Sequence, residues 1–357
     1  MSINQLYFSL FKRIRQLRPQ ERITRVRNMA WLMAGIFDSR SVHLSRIASK
    51  IPGTAVLNST VQRLRRFLNN PAVRVRLWYE PIARNLLNCQ AKSSGTVRLI
   101  LDGTKIGFGH QLLMVAIAYR RRAIPIAWTW VRCKRGHSSA RKQLALLAYV
   151  HRLVPIGYSV SVCGDSEFGA IDVLRQLDKW KWGYVLRQKA SHLVQLAGKD
   201  WQSYGSLIEK PGQSLWFGQA LLTMKHAYQT NLLAHWKPGE KEPWLLATNL
   251  PTLKAALSVY RRRMWIEEMF GDFKKHGFDL ESTHLGHFLR LSRLTLAVAL
   301  LYVWLVSFGS QAIKNGKRYL VDRRGRKDLS VFRIGYNTVC RCLTNGLPFS
   351  VRFIPYF

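Results

Sequence analysis

Between Val97 and Arg187 the chain alternates strand-length apolar runs with helical periods, and that order restricts the fold more than any other feature. Val97 to Asp102 is a short apolar run that ends on an acid. Leu112 to Tyr119 and Ala123 to Val131 are two more, and the short basic link Arg120-Arg121-Arg122 between them predicts a hairpin. Ser139 to Leu153 carries Leu144, Leu147, Ala148 and Leu153 in helical register. Tyr158 to Asp165 is again a strand ending on an acid, Phe168 to Leu177 a helix, and Trp182 to Arg187 a strand. Strand, hairpin, helix, strand, helix, strand is an α/β order.

The flanking regions differ. Residues 1–95 show helical apolar spacing throughout. Residues 189–243 hold aromatics, glycines and short alternating runs without a long helical period, which predicts a β-rich insertion. Trp244 to Thr248 reads as a strand, Thr252 to His276 as one long helical stretch and Leu285 to Ile313 as another. A basic loop from Lys314 to Lys327 leads to a last helical segment near Leu329 to Leu343. The longest apolar run, Leu294 to Gly309, is shorter than the roughly 20 residues of a membrane span, so it predicts a buried core helix. The divisions expected are a helical basic domain at 1–95, a catalytic core at 96–284 and a helical C-terminal region at 285–357. Cys89, Cys133, Cys163, Cys340 and Cys342 are scattered with no CxxC pair, which argues against a disulfide scaffold or structural zinc and for reduced thiols in a cytosol.

Charge decides the partner. With 56 Lys and Arg against 19 Asp and Glu, the net charge is +37. Self-repulsion on that scale predicts a polyanionic partner, nucleic acid first and an anionic membrane surface second. Residues 1–95 alone hold 17 Lys and Arg against three acids, a net +14. Within them, Thr60 to Leu68 is amphipathic, with Val61, Leu64 and Leu68 on one side and Arg63 and Arg66 near another. A solvated helix face would look similar, but the excess charge favours DNA contact through Arg63 and Arg66.

The scarcity of acids narrows any carboxylate chemistry to a few positions. Asp102 and Asp165 end neighbouring strand-like runs, where loops on rigid supports build sites. Each alone reads equally well as a strand terminus or a helix cap. The sharper pattern is Tyr260-Arg-Arg-Arg263-Met-Trp-Ile-Glu267-Glu-Met-Phe-Gly-Asp-Phe-Lys274. On one continuous helix Tyr260, Arg263, Glu267 and Lys274 share an arc of about 60°, beside the apolar stripe of Ile266, Phe270 and Phe273. Glu268 points about 100° away, which selects Glu267. Ion pairing between Arg263 and Glu267 on a solvated face accounts for those two residues, but not for Tyr260 or Lys274 on the same line.

These residues resemble bacterial DDE transposases of the insertion-sequence-4 family. The family signature Tyr-x2-Arg-x3-Glu-x6-Lys is matched by Tyr260, Arg263, Glu267 and Lys274 at every spacing. Leu101-Asp102-Gly103-Thr104 resembles the family's first-aspartate strand, and Cys163-Gly-Asp165-Ser-Glu167-Phe its second, with Ser166 where Arg is common. The resemblance implies an RNase H-like mixed-sheet core with a β-rich insertion between Asp165 and Glu267. It implies catalytic, metal-holding Asp102, Asp165 and Glu267, with Asp102 bridging two Mg2+ ions, or Mn2+ in their place. DNA-binding roles follow for Tyr260, Arg263 and Lys274 at the scissile phosphate. Trp244 matches a position that holds a flipped base in some members, while Met264 stands where a second aromatic is often found. The implied partners are double-stranded DNA, both as terminal inverted repeats and as target, and a second copy of the chain in the DNA complex. No membrane partner is implied, and the location is the bacterial cytoplasm, on the nucleoid when bound. A metal-dependent nuclease without strand transfer, and a catalytically inactive DNA-binding derivative, stay open beside cut-and-paste transposition.

Overall fold

Five helices precede the first strand: α1 (Ile3–Leu17), α2 (Ile23–Ser39), α3 (Leu44–Ala48), α4 (Leu57–Asn69) and α5 (Val75–Ser94). The structure is a computed structural model that describes residues 3–107, 109–132 and 137–357; Cys133 lies outside them. The amphipathic pattern of α4 is realised. Val61, Leu64 and Leu68 are buried, Arg66 is exposed and Arg63 is half-buried.

The next elements follow the predicted order. They are β1 (Thr96–Ile106), β2 (His110–Tyr119), β3 (Arg122–Arg132), α6 (Ala140–His151), β4 (Ser159–Gly164), a short 3-10 turn at Ser166–Phe168, α7 (Ile171–Lys179) and β5 (Gly183–Arg187). The segment after them forms β6 (Leu193–Gln195), β7 (Gln202–Ser203), β8 (Ser214–Leu222) and β9 (Tyr228–His235), before β10 (Trp244–Thr248). Among the described residues the ten strands join one sheet in the order β3-β2-β1-β4-β5-β10-β9-β8-β6-β7. β1, β4 and β5 run parallel, and β10 is antiparallel to β5. The sheet is therefore mixed, and the aromatic-rich segment extends it past β10. Helices α6 and α7 carry the parallel crossovers, and β4 between them is buried from Val160 to Gly164 although serine alternates with valine along it.

The β2–β3 turn is unusual. Its central residues, Arg120 and Arg121, have φ of 42° and 61°. Positive φ at both positions is the pattern of a type I′ turn, where Asn-Gly is favoured. For a residue with a Cβ this backbone costs about 1–2 kcal/mol each. Arg122, expected in the link, belongs to β3.

The stretch predicted as one helix from Thr252 to His276 is two: α8 (Leu253–Tyr260) and α9 (Met264–Phe273). Between them the backbone tightens. Arg263 N donates to Tyr260 O at 2.8 Å, and Trp265 N to Arg262 O at 3.0 Å, three residues back instead of four. A short 3-10 turn at Leu280–Ser282 leads to α10 (Phe288–Lys314), and α11 (Val331–Thr344) follows. At 27 residues α10 outruns the apolar stretch seen in sequence, and by length and composition it could cross a membrane. Most of it is instead buried, packed on α2, α4 and α11. The α10–α11 backbones touch: a Cβ on Gly335 would lie 1.8 Å from the Leu305 carbonyl oxygen, and one on Gly309 2.0 Å from that of Val331.

By contact the chain forms two units. Residues 1–89, 105–110 and 269–357 make a helical unit; residues 90–104 and 111–268 make the sheet unit. The N-terminal and C-terminal helices, set apart as separate regions in the sequence reading, thus fall into one unit.

Candidate active site

The parallel ladder of β1 and β4 brings the two aspartates together. Its last Cα partners are Leu101 and Gly164, so Asp102 and Asp165 are the next residues on adjacent strands. Asp165 follows the end of β4 and caps the 3-10 turn, its carboxylate accepting from Glu167 N at 2.9 Å. Asp102, expected at a strand end, lies inside β1, which continues to Ile106. β4 stops at Gly164, so β1 runs on past the end of its parallel partner.

Arg263 ties the helical acid to the strand acid. Its guanidinium Nη1 lies 3.3 Å from Asp102 Oδ2, and Nη2 lies 2.6 Å from Glu267 Oε1. Pairing on a helix face explains the second contact only. The first spans 161 positions of sequence and needs the tight turn that aims Arg263 at the sheet. Glu268 behaves differently: it accepts from Arg122 at the start of β3, at 2.9 Å.

The carboxylates sense one another. Burial first, and then the neighbouring Asp165, push the Asp102 carboxyl up to about 7, against the pull of Arg263 and the Gly103 N–H; Glu267 adds to the rise. Asp165 is also raised, first by burial, with the Glu167 N–H and Arg263 opposing. Among the described residues no three His, Cys, Asp or Glu side chains are gathered as a ready metal cage. The donor chemistry of Asp102, Asp165 and Glu267, all carboxylate oxygen, nevertheless suits a hard divalent cation, and a guanidinium lies on two of them.

The raised Asp102 carboxyl has a consequence for stability. Unfolded, the group titrates near 3.8; folded, near 7. Between those values the folded chain binds more protons, so its stability falls as pH rises through that window. The full effect is on the order of 4 kcal/mol. In chelator, calorimetry from pH 4 to 8 is expected to show the wild-type protein losing stability relative to Asp102→Asn. A pH-independent difference between the two would mean that the carboxyl titrates in its ordinary range.

Tyr260 is buried, at 2% exposure, and packs edge-to-face on Trp244 with ring centroids 5.0 Å apart. Burial pushes its hydroxyl up to about 12, so it stays protonated. Trp244 opens β10 and also meets the His235 ring at 5.6 Å. Lys274 does not share a helix with Tyr260, because the helix is broken and α9 ends at Phe273. In the helical unit its ammonium pairs with Glu281 at 2.9 Å. Arg63 and Arg66 also lie in the helical unit, on α4.

The sequence reading gave Glu167 no role, yet it is held by several donors. It accepts from Ser138 N at 2.6 Å, from the Ser138 hydroxyl at 2.5 Å and from Gln111 Nε2 at 3.0 Å. Gln143 in turn donates to the Ser138 hydroxyl at 3.0 Å. Gly103 makes room for this: a Cβ there would stand 2.3 Å from Gln111 Nε2. Anchored so, Glu167 fixes the turn whose N–H orients Asp165. Its signal was its place two residues after Asp165; Ser138 and Gln143 carried none.

Compared with known proteins, residues 94–304 match the family model described as the transposase DDE domain. A solved structure titled "Cryo-EM structure of piggyBac transposase synaptic complex with hairpin DNA (SNHP)" covers 98% of this chain and 83% of its own, at 9% identity and a TM-score of 0.41. At that score the likeness adds nothing to the reading of the site. Among curated proteins no sequence matches the chain.

Proposed function

The chain belongs to the transposase DDE domain family, and from that premise we propose that it cuts DNA at the ends of a mobile element and joins the freed ends to target DNA. The observation that carries this reading is the single guanidinium of Arg263 joining Asp102 on β1 to Glu267 on α9, with Asp165 on the adjacent strand. An RNase H-like core is supported by the strand order β3-β2-β1-β4-β5 with β1, β4 and β5 parallel. The insertion-sequence-4 assignment is supported by the spacing of Tyr260, Arg263, Glu267 and Lys274.

In this reading Asp102, Asp165 and Glu267 hold divalent metal, Mg2+ or Mn2+. Metal held there would supply Lewis-acid activation of the attacking water or 3′ hydroxyl and charge stabilisation at the leaving oxygen. The protein residues do the rest. Arg263 neutralises scissile phosphate as well as carboxylate, and its planar fork suits both. Tyr260, protonated and rigid against Trp244, donates to phosphate. Lys274 adds a cation, and Trp244 offers an aromatic edge to an unpaired base. Arg63, Arg66 and the net +37 attract the DNA backbone. Two copies assemble on paired element ends, in a cytoplasmic setting.

The test uses the full chain, Mg2+, linear duplex bearing the inverted repeats that bound its own reading frame, and a supercoiled plasmid target. Joined products are expected. Cutting without joining would make the protein a nuclease, and binding without cutting an inactive derivative.

A further inference from the structure

The tip of the β2–β3 hairpin is built from the wrong residues for its shape. Arg120 and Arg121 both sit at positive φ, where Asn-Gly would be unstrained. Both side chains are exposed. Neither has a carboxylate partner among the described residues; the Arg120 guanidinium lies over the Tyr119 ring, 5.6 Å from its centroid. Strained backbone held by its surroundings tends to mark functional positions. The tip is also tethered. Arg122 pairs with Glu268, the neighbour of Glu267, and a two-residue turn leaves no slack between that anchor and the tip. A mobile basic loop would reach phosphate at the cost of ordering it; this one is already ordered.

We infer that Arg120 and Arg121 form a phosphate-binding tip that contacts the backbone of duplex DNA. The inference rests on the DNA reading above. Guanidinium groups match phosphate oxygens bidentately, and two of them side by side can engage neighbouring phosphates along one strand.

The test compares three full-length proteins on one 40-base-pair duplex of arbitrary sequence, by titration at several salt concentrations and by thermal melting. Arg120→Asn with Arg121→Gly relieves the strain and removes the charge. It is expected to melt several degrees higher, to bind about tenfold more weakly, and to lower the salt slope by about 2. Arg120→Lys with Arg121→Lys keeps both charge and strain, and should hold most of the affinity. If the Asn-Gly protein binds as tightly as wild type with the same salt slope, the inference is overturned. It is equally overturned if the double-lysine protein loses as much as the Asn-Gly protein. A wild-type protein that fails to bind the duplex at low salt sinks the DNA reading itself, which is a different result from an unchanged variant.

Discussion

Alanine in place of Asp102, Asp165 or Glu267 is expected to lower single-turnover DNA cleavage by roughly 10³-fold or more, as when members of a catalytic unit are removed singly. Duplex affinity should stay within about threefold of wild type, because phosphate contacts spread over the surface supply it. Asp102 within β1 and Asp165 just past β4 follow the last paired residues of adjacent strands, and Glu267 is drawn to Asp102 through Arg263. Each acid therefore contributes charge to one place, and no neighbour substitutes for it. Glu268→Ala is the matched control. Its partner is Arg122, the pair is partly exposed, and such pairs are worth about 0.2–1 kcal/mol. It should cut normally. A gel-shift and a cleavage assay on the same DNA decide the matter: an alanine variant that cuts at the wild-type rate removes that residue from the site.

The second large effect belongs to Arg263. Lysine there keeps the charge but not the fork, and cannot span Asp102 and Glu267 at 3.3 and 2.6 Å at once. Arg263→Lys is expected to lose about 10²-fold in single-turnover cleavage, the scale of one lost transition-state donor. Its metal-free melting temperature should fall slightly, since two carboxylates then repel with less between them. Lys274→Arg should lose far less. Lys274 pairs with Glu281, and an arginine can keep that contact. Were Arg263 merely the helix-pairing partner of Glu267, both variants would cut almost normally. Normal cutting by Arg263→Lys would reject a phosphate role for it.

What the sequence carried was local. The α/β order from Val97 to Arg187 was legible because each strand is a short apolar run bounded by turn residues or an acid. Glu267 was separable from Glu268 because the two fall on different sides of one helix, and the structure gives them different partners. The break at Arg261–Arg263 was not legible. Arginine is a good helix former, no Gly or Pro marks the stop, and the apolar period carries across it. Nor was the length of β1, since the apolar run ends at Asp102 while the strand continues through Gly103 and Thr104 to Ile106. Glu167's partners Ser138 and Gln143 were invisible because the contacts that give them meaning lie 29 and 24 positions away. The joining of the first and last helices into one unit is likewise a long-range fact; the bare approach of α10 to α11 at Gly309 and Gly335 shows how little side-chain pattern such packing needs.

The order of the strands among the described residues also bears on where the sheet could take another strand. Its margins are β3 and β7. β7 is only Gln202–Ser203, too short to template another chain's strand. β3 is longer, but it carries Pro125, which has no N–H to give to an incoming ladder, it opens and closes on arginine, and α6 packs against it. Neither of these end strands invites strand addition; the open edge lies further in, on β8, which β6 covers only at Leu221 and Leu222, so that Ser214–Phe217 have a strand partner on the β9 side alone among the described residues.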